Sequence, residues 1–244
     1  MRQRFRCLAI IVAAGIAAGG LAACDPLKEG SFQDDSTLSG KITSVRLEIG
    51  GSGGATVKGT KGNGGLSLHR TVAYRGDKPK GTTYRIENGV LVLGGCGNHC
   101  SVTYTVDVPA GIPVRGETSN GSVSVRQVGE VKVTTSSGPI EMNDVSGPVD
   151  VRTSNGPITG RNIAGRRLQA ETSNGAIELA FATAQDVRAK SSNGRIDLTV
   201  PQAGYRVSAR TSNGGKRIDV TDDPSGRYRL DLTTSNGAIA VHHP

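Results

Sequence analysis

The sequence is poor in aromatic side chains, which dominate many protein cores and many nucleic-acid interfaces. Its 244 residues include no tryptophan, and only 3% of them are aromatic. A chain with so few aromatic rings offers few surfaces on which unpaired bases can stack. The composition therefore disfavours nucleic acid as a partner, and so does the export signal at the N-terminus.

Long apolar runs are also scarce. The longest run lies within residues 7–18, which is shorter than the roughly 20 residues that a membrane-spanning helix needs. It follows three arginines with no acid and precedes a segment of small residues, so the pattern predicts a secretory signal peptide over residues 1–23. Removal of these residues would lower the formal net charge from +8 to +5.

Cys24 ends the signal segment in the tetrapeptide Leu-Ala-Ala-Cys. This tetrapeptide resembles the bacterial lipobox, and the resemblance implies cleavage before Cys24 and attachment of lipid, such as palmitate, to the cysteine. The protein would then be anchored to the outer face of the cell membrane. The alternative is an ordinary Ala-x-Ala cleavage site. Residues 24–41 show no sustained periodicity, which predicts a lipidated cysteine followed by a flexible tether.

Cysteines are few, and only Cys96 and Cys100 remain once Cys7 is removed with the signal and Cys24 carries lipid. Disulfides persist in exported proteins, which favours a Cys96–Cys100 bridge. Free thiols are one alternative. A zinc site with His99 is another, although no second Cys or His cluster completes four ligands. The sequence predicts no cofactor.

What the sequence does contain is a repeat of three residues, Ser-Asn-Gly, which occurs six times and once more as Ser-Ser-Gly. The spacing between successive glycines grows from 17 to 23 residues. Self-similarity at a period near 20 residues indicates a stacked repeat architecture. The glycines of the seven copies are Gly121, Gly138, Gly156, Gly175, Gly194, Gly214 and Gly237.

Apolar residues alternate with polar ones on both sides of each glycine, which is typical of strands with one buried face. In the sixth copy the apolar pair is displaced by two residues, to Ile218 and Val220. Proline after Gly138 and Gly156 removes the amide that would close a two-residue hairpin. This favours a corner between two sheets.

We therefore predict one all-β domain over residues 42–244, a β-solenoid with coils of 17–23 residues. Residues 42–110 would form irregular N-terminal coils and a cap, and residues 111–244 the regular repeats. An antiparallel β-sandwich is the alternative, because side-chain parity fits both folds. Stacked corners would align a ladder of asparagine amides, one above the other. Its members are Asn120, Asn155, Asn174, Asn193, Asn213 and Asn236.

No pairing of nucleophile and base is evident in the sequence, so the protein is predicted not to be an enzyme. Glu178, Asp197 and Asp219 would stack in adjacent coils, where like charges repel. A bound cation such as calcium, or arginines and lysines nearby, could neutralise them. The alternative function is a carbohydrate-active β-helix enzyme that uses these three carboxylates on envelope or extracellular polysaccharide.

The Thr-Ser-Asn-Gly-x-Ile units, the Val106-Asp107-Val108-Pro109 segment and the lipobox together resemble a bacterial family of β-strand-repeat proteins or putative adhesins, a domain of unknown function. The usage of Gly, Ala and Arg is similar to that of actinobacterial lipoproteins. The resemblance implies a β-solenoid of the cell envelope with no catalytic residues. Its partner would be an envelope polymer or another protein.

Overall fold

The computed structural model describes residues 29–62 and 65–244. The predicted signal peptide and Cys24 lie outside the described residues. Every regular element within the two described ranges is a strand. They accordingly include no helix with the length and apolar character that crossing a bilayer would require.

The strands are short, and most follow the alternating pattern of the sequence. Their bounds are β1 (Glu29–Thr37), β2 (Ser44–Thr60), β3 (Ser67–Arg75), β4 (Tyr84–Glu87), β5 (Val90–Gly94), β6 (Cys100–Pro109), β7 (Val114–Asn120), β8 (Val123–Arg126), β9 (Val131–Ser137), β10 (Ile140–Val145), β11 (Val149–Asn155), β12 (Ile158–Ile163), β13 (Arg167–Asn174), β14 (Ile177–Phe181), β15 (Asp186–Asn193), β16 (Ile196–Thr199), β17 (Tyr205–Asn213), β18 (Lys216–Ile218), β19 (Tyr228–Asn236) and β20 (Ile239–His242).

The strands form two facing sheets joined by the repeated corners. The first sheet, which holds the strands that precede the corners, has the order β4-β5-β2-β7-β9-β11-β13-β15-β19-β17. The second sheet, which holds the strands that follow them, has the order β1-β3-β6-β2-β8-β10-β12-β14-β16-β20-β18. The long strand β2 belongs to both.

Equivalent residues of successive repeats pair in register and in parallel. Thr153 lies beside Thr172 in the first sheet, and Ile158 lies beside Ile177 in the second. A parallel ladder of this kind requires each coil to return to its starting side before the next begins. The predicted β-solenoid is therefore confirmed, and the antiparallel sandwich is excluded for the repeats.

The last two coils are stacked in the reverse of their order in the sequence. Strand β19 lies between β15 and β17, and β20 lies between β16 and β18. Leu230 and Leu232 of β19 are fully buried, whereas Val207 and Ala209 of β17 are only half-buried. The more apolar coil thus occupies the interior, and the β17–β18 coil ends the stack.

The displacement expected for the apolar pair of the sixth copy is not a shift in strand register. Lys216 pairs with Ile239 and Ile218 with Val241, so β18 keeps the common register. Lys216 occupies the position that isoleucine holds in most of the other copies, and its side chain is exposed. A lysine is tolerated there because no further coil covers this end of the described chain.

The N-terminal coils are also stacked in an order that differs from their order in the sequence. The β2 coil lies between the β5–β6 coil and the β7–β8 coil. The glycine-rich run at residues 50–54 forms the corner of this coil, where Ser52 pairs with Asn120. Antiparallel strands β4, β3 and β1 then close the stack beyond the β5–β6 coil. We call these three strands the cap.

The flexible tether predicted for residues 24–41 is wrong for residues 29–37. These residues form β1, which pairs along its whole length with β3. The Arg70 Nε–H donates one bifurcated hydrogen bond to the two carboxylate oxygens of Asp34 of β1, at 2.8 and 2.9 Å, and the Arg70 side chain is buried. Phe32 packs against the core with Arg70 and Lys78 over its ring. Long-range pairing of this kind leaves no periodic signal in a short polar segment.

One continuous core fills the space between the two sheets. Valine, isoleucine and leucine project inward from both, and the isoleucines two residues after the corner glycines are almost entirely buried. Burying each such side chain contributes roughly 1.5–3 kcal/mol relative to leaving it exposed.

Candidate functional site

The inner side of each Ser-Asn-Gly corner carries a column of hydroxyl groups. Thr172 is buried, and its Oγ1 donates to the Gly156 carbonyl of the neighbouring coil at 3.0 Å. Thr153 does the same to Gly138 at 3.1 Å, and Ser191 to Gly175 at 2.9 Å. The column continues through Thr234 and Thr211 in the spatial order of the coils. The hydroxyl group before each of these corners therefore forms a hydrogen bond to the neighbouring coil.

The outer side of the corners carries a ladder of asparagine amides. Asn174 donates to Asn155 and Asn193 donates to Asn174, each at 2.9 Å. Asn236 then donates to Asn193 at 2.8 Å, and Asn213 to Asn236 at 2.9 Å, so the ladder follows the spatial order. All five side chains are exposed.

Asn120 does not join this ladder. Ser137 occupies the corner position between Asn120 and Asn155, and its side chain is too short to continue the row of amides. The Asn120 Nδ2 instead donates to the Gly51 carbonyl at 3.4 Å. The amide ladder therefore begins at Asn155.

Close approach of the coils explains the glycine at every corner. A Cβ added to Gly194 would lie 1.9 Å from the Gly175 carbonyl oxygen, and one added to Gly156 would lie 2.2 Å from that of Gly138. Neither distance is compatible with a side chain. At each corner, backbone of the neighbouring coil therefore fills the space beside the glycine, whereas the asparagine amide on the outer side remains accessible.

The three carboxylates considered as a catalytic or cation-binding set do not form a column. Glu178 and Asp197 are paired in register, but the next coil presents Ala240 at that level and Asp219 lies one coil further. The physical reasons are the exchange of the last two coils and the common register of β18, which sets Arg217 rather than Asp219 at the level of Ala240. Among the described residues there is no group of three or more side chains that could hold a metal ion.

Each of these carboxylates also has a cationic or imidazole partner. Arg195 binds Glu178, and the Arg217 Nε donates to Asp219 at 2.7 Å. The His242 Nε2 lies 3.1 Å from the Asp197 Oδ1. Glu178, Asp197 and Asp219 are consequently parts of a surface of mixed charge.

His242 is held between two acceptors. Its Nδ1 lies 3.0 Å from the His243 carbonyl oxygen, and its Nε2 faces Asp197. The bond to the His243 carbonyl contributes most to raising the pKa of His242; Asp197 and Asp219 raise it further, while partial burial lowers it. Only a doubly protonated imidazole can donate to both acceptors, which explains the direction of the shift.

The structure joins Cys96 and Cys100 by a disulfide across the corner between β5 and β6. The disulfide lies beside an open hollow of about 810 Å³, which also borders Glu29, Tyr74 and His99. Glu29 and Arg75 form an exposed ion pair at the rim, with 2.8 Å between the Arg75 Nε and the carboxylate.

Sequence reasoning missed two sets of residues. The hydroxyl column was hidden because threonine and serine also occur on the exposed side of the corners, although their place immediately before each Ser-Asn-Gly was a usable signal. The second set consists of arginines on the outer face of the last four coils. They come together because the last four coils stack in register, which sets Arg206 opposite Arg229.

The sequence matches the model of a known protein family. The model of the family described as Toastrack DUF4097 matches residues 103–242, more than half of the chain. The chain therefore belongs to this family, a domain of unknown function, in agreement with the resemblance drawn from the corner repeats. No curated protein sequence matches the chain.

Similar solved structures include three bacterial proteins of low identity. A putative adhesin from Parabacteroides distasonis is 14% identical, with 88% of this chain and 97% of that chain covered and a TM-score of 0.47. A putative adhesin from Bacteroides fragilis is 12% identical, with 89% and 99% covered and a TM-score of 0.41. A putative cell adhesion protein from Clostridium sporogenes is 12% identical, with 88% of this chain and 100% of that chain covered and a TM-score of 0.40. We draw no functional conclusion from these three similarities.

Proposed function

We propose that the protein is a lipid-anchored, extracytoplasmic scaffold of the adhesin type, which binds an envelope polymer or a protein partner without catalysis. The anchor would be lipid on Cys24, which places the β-solenoid on the outer face of the cell membrane. One diacyl group and one further acyl chain suffice for stable attachment.

The observation that carries this proposal is the exposed amide ladder from Asn155 to Asn213. Five identical groups stand in register on a rigid stack, each bonded to its neighbour at 2.8–2.9 Å. Such a row suits an extended partner that repeats its own contacts. The pairing of Glu178, Asp197 and Asp219 with basic partners favours binding over hydrolysis.

The anchor is tested by Cys24→Ser in the full chain, with Cys7→Ser as the matched control because it makes the same chemical change earlier in the signal. We expect Cys24→Ser to abolish lipid labelling and release the protein from the membrane fraction. Cys7→Ser should leave both unchanged. Membrane retention of the Cys24→Ser protein without lipid label would refute the anchor.

The scaffold role is tested by incubating the full chain with envelope polysaccharide, while retention on the polymer and release of products are followed in parallel. Retention without product is expected. Product release that disappears in Asp197→Asn would establish the carbohydrate-active enzyme instead. If neither retention nor release occurs, polymer binding is rejected and a protein partner should be recovered by pull-down from the native envelope.

A further inference from the structure

A groove lined by arginines crosses the outer face of the first sheet at its far end. Strands β13, β15, β19 and β17 run side by side there, in that order. Their outward residues enclose a concave space of about 380 Å³. The charged side chains that line it are Arg167, Arg188, Arg206, Arg229, Asp186 and Asp231.

The two aspartates of the groove are already engaged. Asp186 accepts a hydrogen bond from the backbone N–H of Arg229 at 2.9 Å. Asp231 forms an ion pair with Arg210, at 3.2 Å from the Arg210 Nη2. Neither carboxylate is therefore fully available to the groove arginines.

The four groove arginines, in contrast, form no ion pair with an acid among the described residues, although Arg167 stands opposite Asp186 and Arg188 opposite Asp231. None of them takes part in an ion pair or a side-chain hydrogen bond, and all four side chains are exposed. Arg206 and Arg229 stand directly opposite each other on adjacent strands. Like charges in this arrangement destabilise a sheet slightly unless an anion lies between them.

A pair of like charges alone does not define a site, because Lys58 and Arg126 also oppose each other elsewhere on the stack. What distinguishes the groove is convergence: four guanidinium groups from four successive coils line one concavity. Further arginines extend the positive charge beside it, since Arg166 and Arg227 line an adjoining hollow of about 490 Å³.

We infer that this groove binds an extended polyanion that carries phosphodiester groups. The planar guanidinium presents paired N–H donors that match the oxygens of phosphate. Neighbouring strands lie about 4.8 Å apart, so Arg206 and Arg229 can reach one phosphate, while Arg167 lies about 14 Å from Arg206 along the stack. A chain of phosphates fits this length better than a single small anion does.

This inference rests on the proposed scaffold function and names the chemistry of its partner. The groove lies at the end of the stack opposite the cap, whereas the chain enters the cap at Glu29. A protein anchored through Cys24 would thus direct the groove away from its own membrane. This favours a polymer of the envelope over the lipid headgroups of the anchoring membrane.

The test uses the full chain, purified in non-ionic detergent, and fluorescein-labelled poly(glycerol phosphate) as the probe. Binding is followed by fluorescence anisotropy for three proteins: the unaltered chain, Arg206→Gln/Arg229→Gln, and Lys58→Gln/Arg126→Gln. The last is a matched control, because it removes the same charge from another opposed pair. Loss of two charge-assisted contacts should weaken binding at least about tenfold in the groove variant, and the control should change it less than about twofold.

Three results would overturn the inference: no binding by the unaltered chain, an equal loss in both double variants, or equal competition by polyglutamate. Competition by soluble dihexanoyl phosphatidylglycerol at the same phosphate concentration would assign the groove to a lipid headgroup and reject the polymer. Cys24→Ser should leave binding in detergent unchanged. The groove variant should remain membrane-bound in cells, so failure of the groove and failure of the anchor are distinguishable.

Discussion

At the scale of single residues, the corner glycines carry the tightest steric constraint in the stack. Gly194→Ala would place a methyl group 1.9 Å from the Gly175 carbonyl oxygen, so neighbouring coils must separate. We expect a loss of about 3 kcal/mol or more in the free energy of unfolding, typical of overpacking with backbone strain. Urea unfolding measures it.

Gly215→Ala is the matched control for that substitution. It lies in the terminal coil next to a corner glycine, and a Cβ there would have no atom within 4 Å. Gly215→Ala should change the free energy of unfolding by no more than about 0.5 kcal/mol. Equal losses in the two variants would show that close stacking is not the reason for glycine at the corners.

Thr172 tests the hydroxyl column. Thr172→Ser keeps the donor to the Gly156 carbonyl and should be mildly destabilising, while Thr172→Val loses it and should cost about 1 kcal/mol. Thr172→Asp places a carboxylate in a buried position beside a carbonyl oxygen, so it should cost several kcal/mol. Thermal unfolding of the three variants should give the ranking Ser, Val, Asp. A valine variant as stable as the serine variant would show that the hydroxyl contributes nothing.

His242 makes stability depend on pH. Its folded-state pKa is raised above the usual 6.5, so its stabilising contribution is complete below that value and is lost as the pH rises through the folded-state pKa. Because the imidazole is partly exposed, the effect on the melting temperature between pH 6 and pH 9 should be small, about 1 °C or less.

His242→Gln should remove this part of the pH dependence. Differential scanning calorimetry across the pH series compares the two proteins. If the melting temperature depended on pH identically in both proteins, protonation of His242 would not contribute to stability.

At the scale of elements, the exchanged order of the last two coils gives a prediction that reverses the usual expectation for a C-terminus. Alternate amides of β17 face away from β19. Within the described part of the chain only the beginning of this edge is covered, where the Val207 N–H donates to the Asp222 Oδ1. Strand β19 is paired on both sides. Hydrogen exchange should therefore be faster in residues 205–213 than in residues 228–236.

Exchange followed by mass spectrometry can resolve the two peptides, with residues 167–174 as an interior reference that should match β19. If the coils were stacked in sequence order, β19 would be the open edge and would exchange faster than β17. That outcome would leave Arg206 beside Arg229, because β17 and β19 are neighbours in either order, but it would place Arg206 rather than Arg229 next to β15.

Strand content, corner positions and the inward face were predictable because they depend on local alternation and on the glycine of each corner. Stacking order was not predictable, because every coil presents nearly the same inward face and Leu230 fits beside Val187 as well as Val207 would. Strand β1 was missed for a related reason: Asp34 and Phe32 are stabilised by partners on β3, which are far away in the sequence.

At the scale of the whole molecule, strand β1 fixes which end of the stack would face the membrane. Glu29 pairs with Arg75 in the cap, and it lies five positions after Cys24 in the sequence. A fully extended chain covers at most about 3.6 Å per residue, so the cap of an anchored protein must lie within about 18 Å of the lipid. The β17–β18 coil is at the other end of the stack.

We therefore expect the cap to be close to the bilayer and the terminal coil to be remote from it. The full lipidated chain would carry one fluorophore, at Asp77→Cys in the cap or at Lys216→Cys in the terminal coil; both side chains are exposed. In vesicles with a headgroup quencher, quenching should be stronger at position 77 because contact quenching requires proximity. Equal quenching at both positions would mean that the stack lies flat, and stronger quenching at position 216 would place the arginine groove against the membrane and favour lipid headgroups as its partner.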